Sequence, residues 1–407
     1  MLKRYRYRAY PTGDQQQMLA RSFGCSRVVF NDAIAARQTA RAAGVKISDT
    51  DVQKQVVTEA KRTLERAWLG EVSSVVLVQA CQDARRAYRN FFDSLAGKRK
   101  GRRIGAPRFR SRRDNRQSIR FTRNGFTVTR RGVRLAKIGD VKLEWSRELP
   151  SEPSSVSVIR EADGRYYVSF VVDVAETPLP EAPTVVGVDL GLADLAAIAR
   201  SDGVREKIAA PRHLRKVERR LARAQKALSR KQKGSSNRAK DRLRVARLHR
   251  RVRETRLDHH HKLAKRLIHE NQVVAVEDLA VSGLARTWLA KSVHDAGWSI
   301  LLRVLEEKAA QHGRQVIRID RWTPSTRTCS HCGRIGEAKP LHIRQWTCDC
   351  GAHLDRDYNA AVNILDAAGL AESLNARGGD VRLALASAGP AETGTHRTDP
   401  DHPVEAA

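Results

Sequence analysis

Val185-Val186-Gly187-Val188-Asp189-Leu190-Gly191 joins an apolar, β-branched run to a lone acid and a glycine. A run of that length, without alternating polar residues, reads as a strand buried on both faces, and the acid marks its end. The same grammar returns at Val273-Val274-Ala275-Val276-Glu277-Asp278-Leu279. A third acid, Asp357 in Asp355-Arg356-Asp357-Tyr358-Asn359-Ala360-Ala361, opens a helical pattern from Asn359 to Ala367. Such elements deliver carboxylates to one edge of a sheet. Hard divalent cations take oxygen ligands, and a pair about 4 Å apart clamps the attacking and leaving oxygens of a phosphodiester. Asp189, Glu277 and Asp357 are therefore the candidate catalytic residues, and the candidate ligands for Mg²⁺ or Mn²⁺, of a metal-dependent nuclease.

Each acid alone has a plainer reading. Asp189 could end a strand turn, or face phosphate as in sugar-kinase and actin-like ATPases. Glu277 could cap the next turn, and either Asp355 or Asp357 could cap a helix. Their joint occurrence beside a cysteine cluster favours catalysis. That cluster is Cys329-Ser330-His331-Cys332 and, fifteen residues on, Cys348-Asp349-Cys350-Gly351. Two knuckles at that separation fit tetrahedral Zn²⁺ and a small metal-folded ribbon. The second pair is C-x-C where ribbons usually have C-x-x-C. Either the shorter turn reaches the metal, or His331, His342 or His353 replaces a thiolate; the four cysteines are the favoured set. Cys25 and Cys81 stand alone in helical patterns, which with the clustered four is metal-site arithmetic in a reducing compartment.

The chain has 407 residues, room for two or three domains, with 76 Lys and Arg against 45 Asp and Glu, a formal charge of +31. Nucleic acid is the polyanion that best balances such an excess. No apolar run approaches the length of a membrane span and Met1-Leu-Lys-Arg-Tyr-Arg-Tyr-Arg8 lacks a signal peptide's apolar stretch, so a soluble, cytoplasmic, nucleoid-associated protein with no membrane partner is expected.

Residues 2–10 alternate basic with aromatic or apolar side chains, as a strand does. A helical pattern runs from about 14 to 95. Residues 97–113 carry nine Lys or Arg and no acid, broken by Gly101, Gly105 and Pro107, which reads as a basic surface loop. Arg102, Arg103, Arg108, Arg110, Arg112 and Arg113 are its candidate nucleic-acid contacts, with Phe109 placed to stack on a base. Six short strand-like stretches between 118 and 174 suggest a small barrel. Three prolines within 178–183 mark a boundary. Residues 212–266 hold 22 Lys or Arg against four acids and read as a helical hairpin, extending to about 268, with Lys216, Arg219 and Arg220 as candidate contacts. His259-His260-His261 resembles a metal tract, but successive helix positions diverge, and a surface or RNA-facing role is expected. Residues 368–407 lack periodicity and read as a disordered tail.

Val-Gly-Val-Asp-Leu-Gly-Leu, Val-Glu-Asp-Leu, Thr-Cys-Ser-His-Cys-Gly, Trp-Thr-Cys-Asp-Cys-Gly and Asp-Arg-Asp-Tyr-Asn-Ala-Ala-Val-Asn-Ile, in that order, resemble the TnpB proteins of bacterial insertion sequences, relatives of type V CRISPR effectors. Pro107-Arg-Phe-Arg110 and Gln117-Ser-Ile-Arg-Phe121 extend the resemblance to about nine-tenths of the chain. It implies an α+β multidomain protein: an RNase H-like RuvC nuclease domain (181–320 and 354–367), an inserted zinc ribbon (321–353), a β-barrel wedge domain (1–10 and 96–180) and a helical recognition lobe (11–95). It further implies an RNA-guided DNA endonuclease with Asp189, Glu277 and Asp357 as its triad. Its partners would be a guide RNA from the transposon end and double-stranded DNA bearing a short flanking motif. The family's third carboxylate is the second acid of Asp-x-Asp, which selects Asp357 over Asp355.

Three rivals use parts of the same pattern. A nuclease-dead RNA-guided regulator would lack a triad acid, and none is missing. A zinc-ribbon transcription factor leaves Asp189 and Glu277 unexplained. A strand-joining transposase uses the same triad but binds its element ends as DNA rather than carrying an RNA.

Overall fold

The computed structural model describes residues 1–369 except 100, 115 and 341; the expected tail lies outside the described residues from position 370 onward. Among the described residues, no helix is long and apolar enough to cross a membrane.

The chain opens with strand β1 (Leu2–Tyr10) and helices α1 (Gly13–Ala42), α2 (Asp49–Gln53) and α3 (Ser74–Leu95). Thr12 starts α1 with a capping box: its hydroxyl accepts from the Gln15 N–H while the Gln15 side chain accepts from the Thr12 N–H. Val29, Ile34, Val52, Leu69 and Leu77 close a core between these helices that also buries Cys25 and Cys81. Burial pushes the two thiols up to about 11 and about 12, so both behave as apolar packing residues.

Strands β2 (Gln117–Thr122), β3 (Phe126–Thr129), β4 (Gly132–Leu135), β5 (Gly139–Glu144), β6 (Ser155–Arg160) and β7 (Tyr166–Asp173) join β1 in a seven-stranded antiparallel sheet, order β2-β6-β7-β1-β5-β4-β3. One core of Tyr7, Phe121, Val158, Val168 and Phe170 lies inside it. The expected barrel is not closed by hydrogen bonds among the described residues. Its two edge strands, β2 and β3, are joined instead by the single turn Arg123–Gly125, so the chain itself spans the gap.

A second sheet holds β8 (Val185–Asp189), β9 (Asp194–Arg200), β10 (Arg205–Ala209), β11 (Val273–Glu277) and β12 (Gln315–Ile319), in the order β10-β9-β8-β11-β12. The pairs β8/β11 and β11/β12 are parallel, while β8/β9 and β9/β10 are antiparallel. Both faces are covered, which is why β8 and β11 lack polar alternation. Val186, Val188, Val274 and Val276 pack under α5 (Ser236–Glu270) and α8 (Trp298–His312). Val185, Val273 and Ala275 face α9 (Arg356–Ala367) through Leu365 and Ile364.

Helix α4 (His213–Ser229) runs back along α5 as a hairpin, and α6 (Val281–Leu284) and α7 (Ala290–Ala296) follow β11. A two-stranded ribbon of β13 (Gln345–Thr347) and β14 (His353–Asp355) leads into α9.

Candidate active site and cysteine cluster

Side chains alternate along a strand, so the residues that share a face with Gly187 and Ala275 are Asp189 and Glu277. Both acids therefore leave the sheet on the α9 face. The parallel register pairs Val188 with Val276, which puts the two acids one residue beyond the same rung. Helix α9 lies close over β8 because Gly187 has no side chain: a β-carbon there would stand 2.1 Å from the Ala361 carbonyl oxygen. That contact brings the first turn of α9, and Asp357 with it, to the same sheet edge.

The helix starts earlier than its apolar pattern indicates, at Arg356. Asp355 is its cap, accepting from the N–H groups of Asp357 and Tyr358, each at 3.1 Å. Asp355 spends one carboxylate oxygen on this cap, whereas Asp357 sits inside the first turn with its side chain directed elsewhere. Lys207 of β10 donates to Asp355 at 2.8 Å and to Asp357 at 3.3 Å, and Arg344 donates to Asp357 at 3.2 Å. Ser325 donates its hydroxyl hydrogen to Glu277 at 2.7 Å. These three residues escaped the sequence reading.

Burial, then the charges of Glu277 and Asp357, push Asp189 up to about 7, with Arg356 and Arg344 pulling the other way. Burial also raises Glu277, against the Ser325 hydrogen bond. A buried acid raised further by two neighbouring carboxylates marks a site short of positive charge. Oxygen-only donors of this kind fit a hard divalent cation. The four cysteines have their ligand atoms within 4.8 Å of one another, and among the described residues they are the only such group of three or more candidate metal ligands.

In the cysteine cluster, Cys329 and Cys350 have their sulfurs 3.8 Å apart, and Cys332 and Cys348 theirs 3.7 Å apart. The short C-x-C turn reaches the cluster for a simple reason. Gly333 N–H returns to Cys329 four residues back, Gly351 N–H to Cys348 three residues back, both at 2.8 Å. The second knuckle is thus a tighter turn closed on the same kind of glycine, with φ of 73° at Gly333 and 84° at Gly351. His353 is engaged by the Thr347 hydroxyl at 2.8 Å, while His331 Nδ1 lies 3.8 Å from the Cys350 sulfur. Four thiols converging in this way fit a tetrahedral Zn²⁺.

Helix α9 grips the segment that enters the ribbon. Asn359 and Asn363, one turn apart, both donate to the Thr328 carbonyl, at 2.7 Å each, and Asn363 also donates to Ser325 O at 2.6 Å. Asn359 accepts from the Ser330 N–H at 2.8 Å. One helix thus holds Asp357, the start of the cysteine cluster and the residue that touches Glu277.

The expected nucleic-acid contacts divide. Arg102, Arg103, Arg108, Arg112 and Arg113 are exposed on a segment without strand or helix, and Lys216, Arg219 and Arg220 are exposed on α4. Arg110 is instead committed inside the protein: its guanidinium lies 3.7 Å over the Phe30 ring and pairs with Asp83. The histidine run also departs from expectation. His260 is fully buried against the backbone of Gly297, and burial followed by the His259 charge lowers it to about 4, so it is a neutral packing residue. The helix turns one of three successive residues wholly into the core.

Three family models match the chain: "Probable transposase" over residues 169–287, "Cas12f1-like, TNB domain" over 298–364, and "Helix-turn-helix domain" over 1–46. The last stretch here forms strand β1 and the single long helix α1. By fold, the chain is similar to a Cas12f1 solved with single-guide RNA and target DNA, with a TM-score of 0.56 at 12% identity, covering 89% of this chain and 98% of that one. It is also similar to the mini-RNA-guided endonuclease CRISPR-Cas_phi3, with a TM-score of 0.52 at 9% identity, covering 91% and 93%. By sequence it is 43% identical to a Streptomyces pristinaespiralis protein named "Putative RNA-guided DNA endonuclease", over 91% of this chain and 90% of the relative. It is 30% identical to InsQ of Escherichia coli K12, which bears the same name, over 90% and 92%. Likeness of that order along nearly the full length of both chains reflects common descent, and the chain belongs to the TnpB family of OrfB-type transposon proteins.

Proposed function

We propose that this protein is an RNA-guided DNA endonuclease of a bacterial insertion sequence. In this reading it binds a guide RNA derived from the transposon end and cleaves complementary double-stranded DNA beside a short flanking motif. The observation that carries the reading is the delivery of Asp189, Glu277 and Asp357, from three distant parts of the chain, to one face of one sheet edge. The strand order β10-β9-β8-β11-β12, with an antiparallel half and a parallel half, supports an RNase H-like, RuvC-type nuclease domain over 181–320 and 354–367. The seven-stranded sheet supports a wedge domain over 1–10 and 96–180, the helices of 11–95 a recognition lobe, and the four thiols a zinc ribbon over 321–353.

When bound, Mg²⁺ or Mn²⁺ supplies the charge that polarises a phosphate and makes a water nucleophilic at neutral pH. The protein's own groups prepare for it. Asp189 makes no side-chain hydrogen bond among the described residues, so its carboxylate would be open to hold a cation. Ser325 fixes Glu277, and Lys207 with Arg344 holds Asp357 in place. Sequence discrimination falls to base pairing, so the excess of cationic side chains need only recognise backbone and helical shape.

The test is to purify the protein from cells carrying its element, sequence the nucleic acid that comes with it, and challenge the complex with matched and unmatched duplexes. A discrete bound RNA, with cutting confined to the matched duplex and lost on RNA removal, is expected. A protein that carries no RNA and cuts equally without it contradicts the reading.

A further inference from the structure

Helices α4 and α5 part along one side to leave a cavity of about 670 Å³, within the range of ligand sites and with none of the three candidate acids in its lining. Arg220 and Arg223 of α4 and Arg244, Arg247 and Arg251 of α5 line it, and none of these five has an acidic partner among the described residues. The one acid in the lining, Glu254, is already taken by Arg250.

The cleft is anchored rather than incidental. Arg250 is fixed at 2.6 Å by Asp163, whose side chain is 2% exposed in the turn between β6 and β7, and Glu254 also meets Tyr167 of β7 at 3.3 Å. The same turn brings Gly164 against Leu243 of α5. A buried acid from the seven-stranded sheet thus pins the hairpin and orients the wall of the cavity.

Five unpaired guanidiniums around one cavity repel one another until an anion enters. Arg244, Arg247 and Arg251 recur along one side of α5 over about 10 Å of helix, at about 1.5 Å per residue, a row of three cations long enough to follow a few consecutive phosphates. Among the described residues no aromatic ring lines the cavity, so none of them stacks a base there. We infer that this cleft is a binding site for the sugar-phosphate backbone of RNA, gripping about three consecutive phosphates without reading sequence. The inference rests on the guided-nuclease reading and names where its RNA is held against the junction of the two sheets.

The test uses full-length protein and the RNA recovered from it, with affinity measured across salt concentrations. The variant Arg223→Ala/Arg247→Ala/Arg251→Ala should flatten the slope of log affinity against log salt by about 2, at about 0.7 for each phosphate no longer neutralised. In a hydroxyl-radical footprint, one protected stretch of about three nucleotides should vanish while the rest persists. If the triple variant melts well below wild type, Arg251→Glu, exposed on α5, should weaken binding at least tenfold. An unchanged slope and footprint, with wild type still carrying RNA, overturns the cleft assignment and leaves the guided reading standing. A wild-type protein that carries no RNA overturns both. Loss confined to binding of single-stranded DNA of the same sequence overturns the choice of RNA.

Discussion

The Ala361 carbonyl oxygen lies 2.1 Å from where a β-carbon on Gly187 would stand, so the glycine sets how closely α9 approaches β8. Even Gly187→Ala must displace α9, because the obstacle is backbone and cannot swing aside. The expected cost is about 2–3 kcal/mol, the upper part of the range for overpacking. Chemical denaturation reads the stability loss, and cleavage should fall further than RNA retention because Asp357 moves with the helix.

Asp189, pushed up to about 7, binds its proton more tightly in the folded chain than in the unfolded one, where its pKa is about 3.9. Its contribution to stability is therefore fully present below about pH 4 and is lost as pH rises towards 7. Relative to wild type, Asp189→Asn should grow more stable across that window, by at most about 4 kcal/mol. At pH 8, Mg²⁺ should raise the melting temperature of the wild type and leave that of Asp189→Asn nearly unmoved. A stability difference that stays flat from pH 4 to 8 contradicts the assignment.

Cys350 reaches the other thiols through a tighter turn than Cys332 does, while His353 is held by Thr347. Cys350→Ala should lower bound zinc, measured by elemental analysis after dialysis, to well under one equivalent. His353→Ala should retain the full equivalent; the reverse pattern would move the fourth ligand to the histidine.

Asn359 and Asn363 tie α9 to the carbonyls that precede Cys329. Asn359→Ala removes a buried amide and leaves the Ser330 N–H without its acceptor, at a cost of about 1–3 kcal/mol. Because Asn359 also donates to the Ser325 carbonyl at 3.4 Å, its loss loosens Ser325 against Glu277, and the cleavage rate should fall while zinc content stays constant.

The strands that carry the acids were legible because a sheet covered on both faces writes an unbroken apolar run, as in Val185–Val188 and Val273–Val276. The antiparallel strands β9 and β10 were not, although Lys207 on β10 touches two acids. Nothing local distinguishes it from the many other basic residues. Asp355 and Asp357 were equal candidates for the cap by spacing alone, and the hydrogen bonds of the first turn separate them. A signal was available for Asn359 and Asn363: two amides four residues apart on the apolar side of a short helix indicate buried polar partners. The divergence of successive helix positions argues against one metal shared by the three histidines, but it does not say which of them turns inward, and that one is His260. For Arg110, a basic segment gives no sign of which member folds back onto Phe30.

The most direct measurement compares wild type with Asp189→Ala, each purified with its RNA, on a matched DNA duplex with and without Mg²⁺. Cleavage by the wild type only when the metal is present, with none by Asp189→Ala although its RNA content is unchanged, is the predicted result. Metal-dependent cutting that survives in Asp189→Ala would contradict the account.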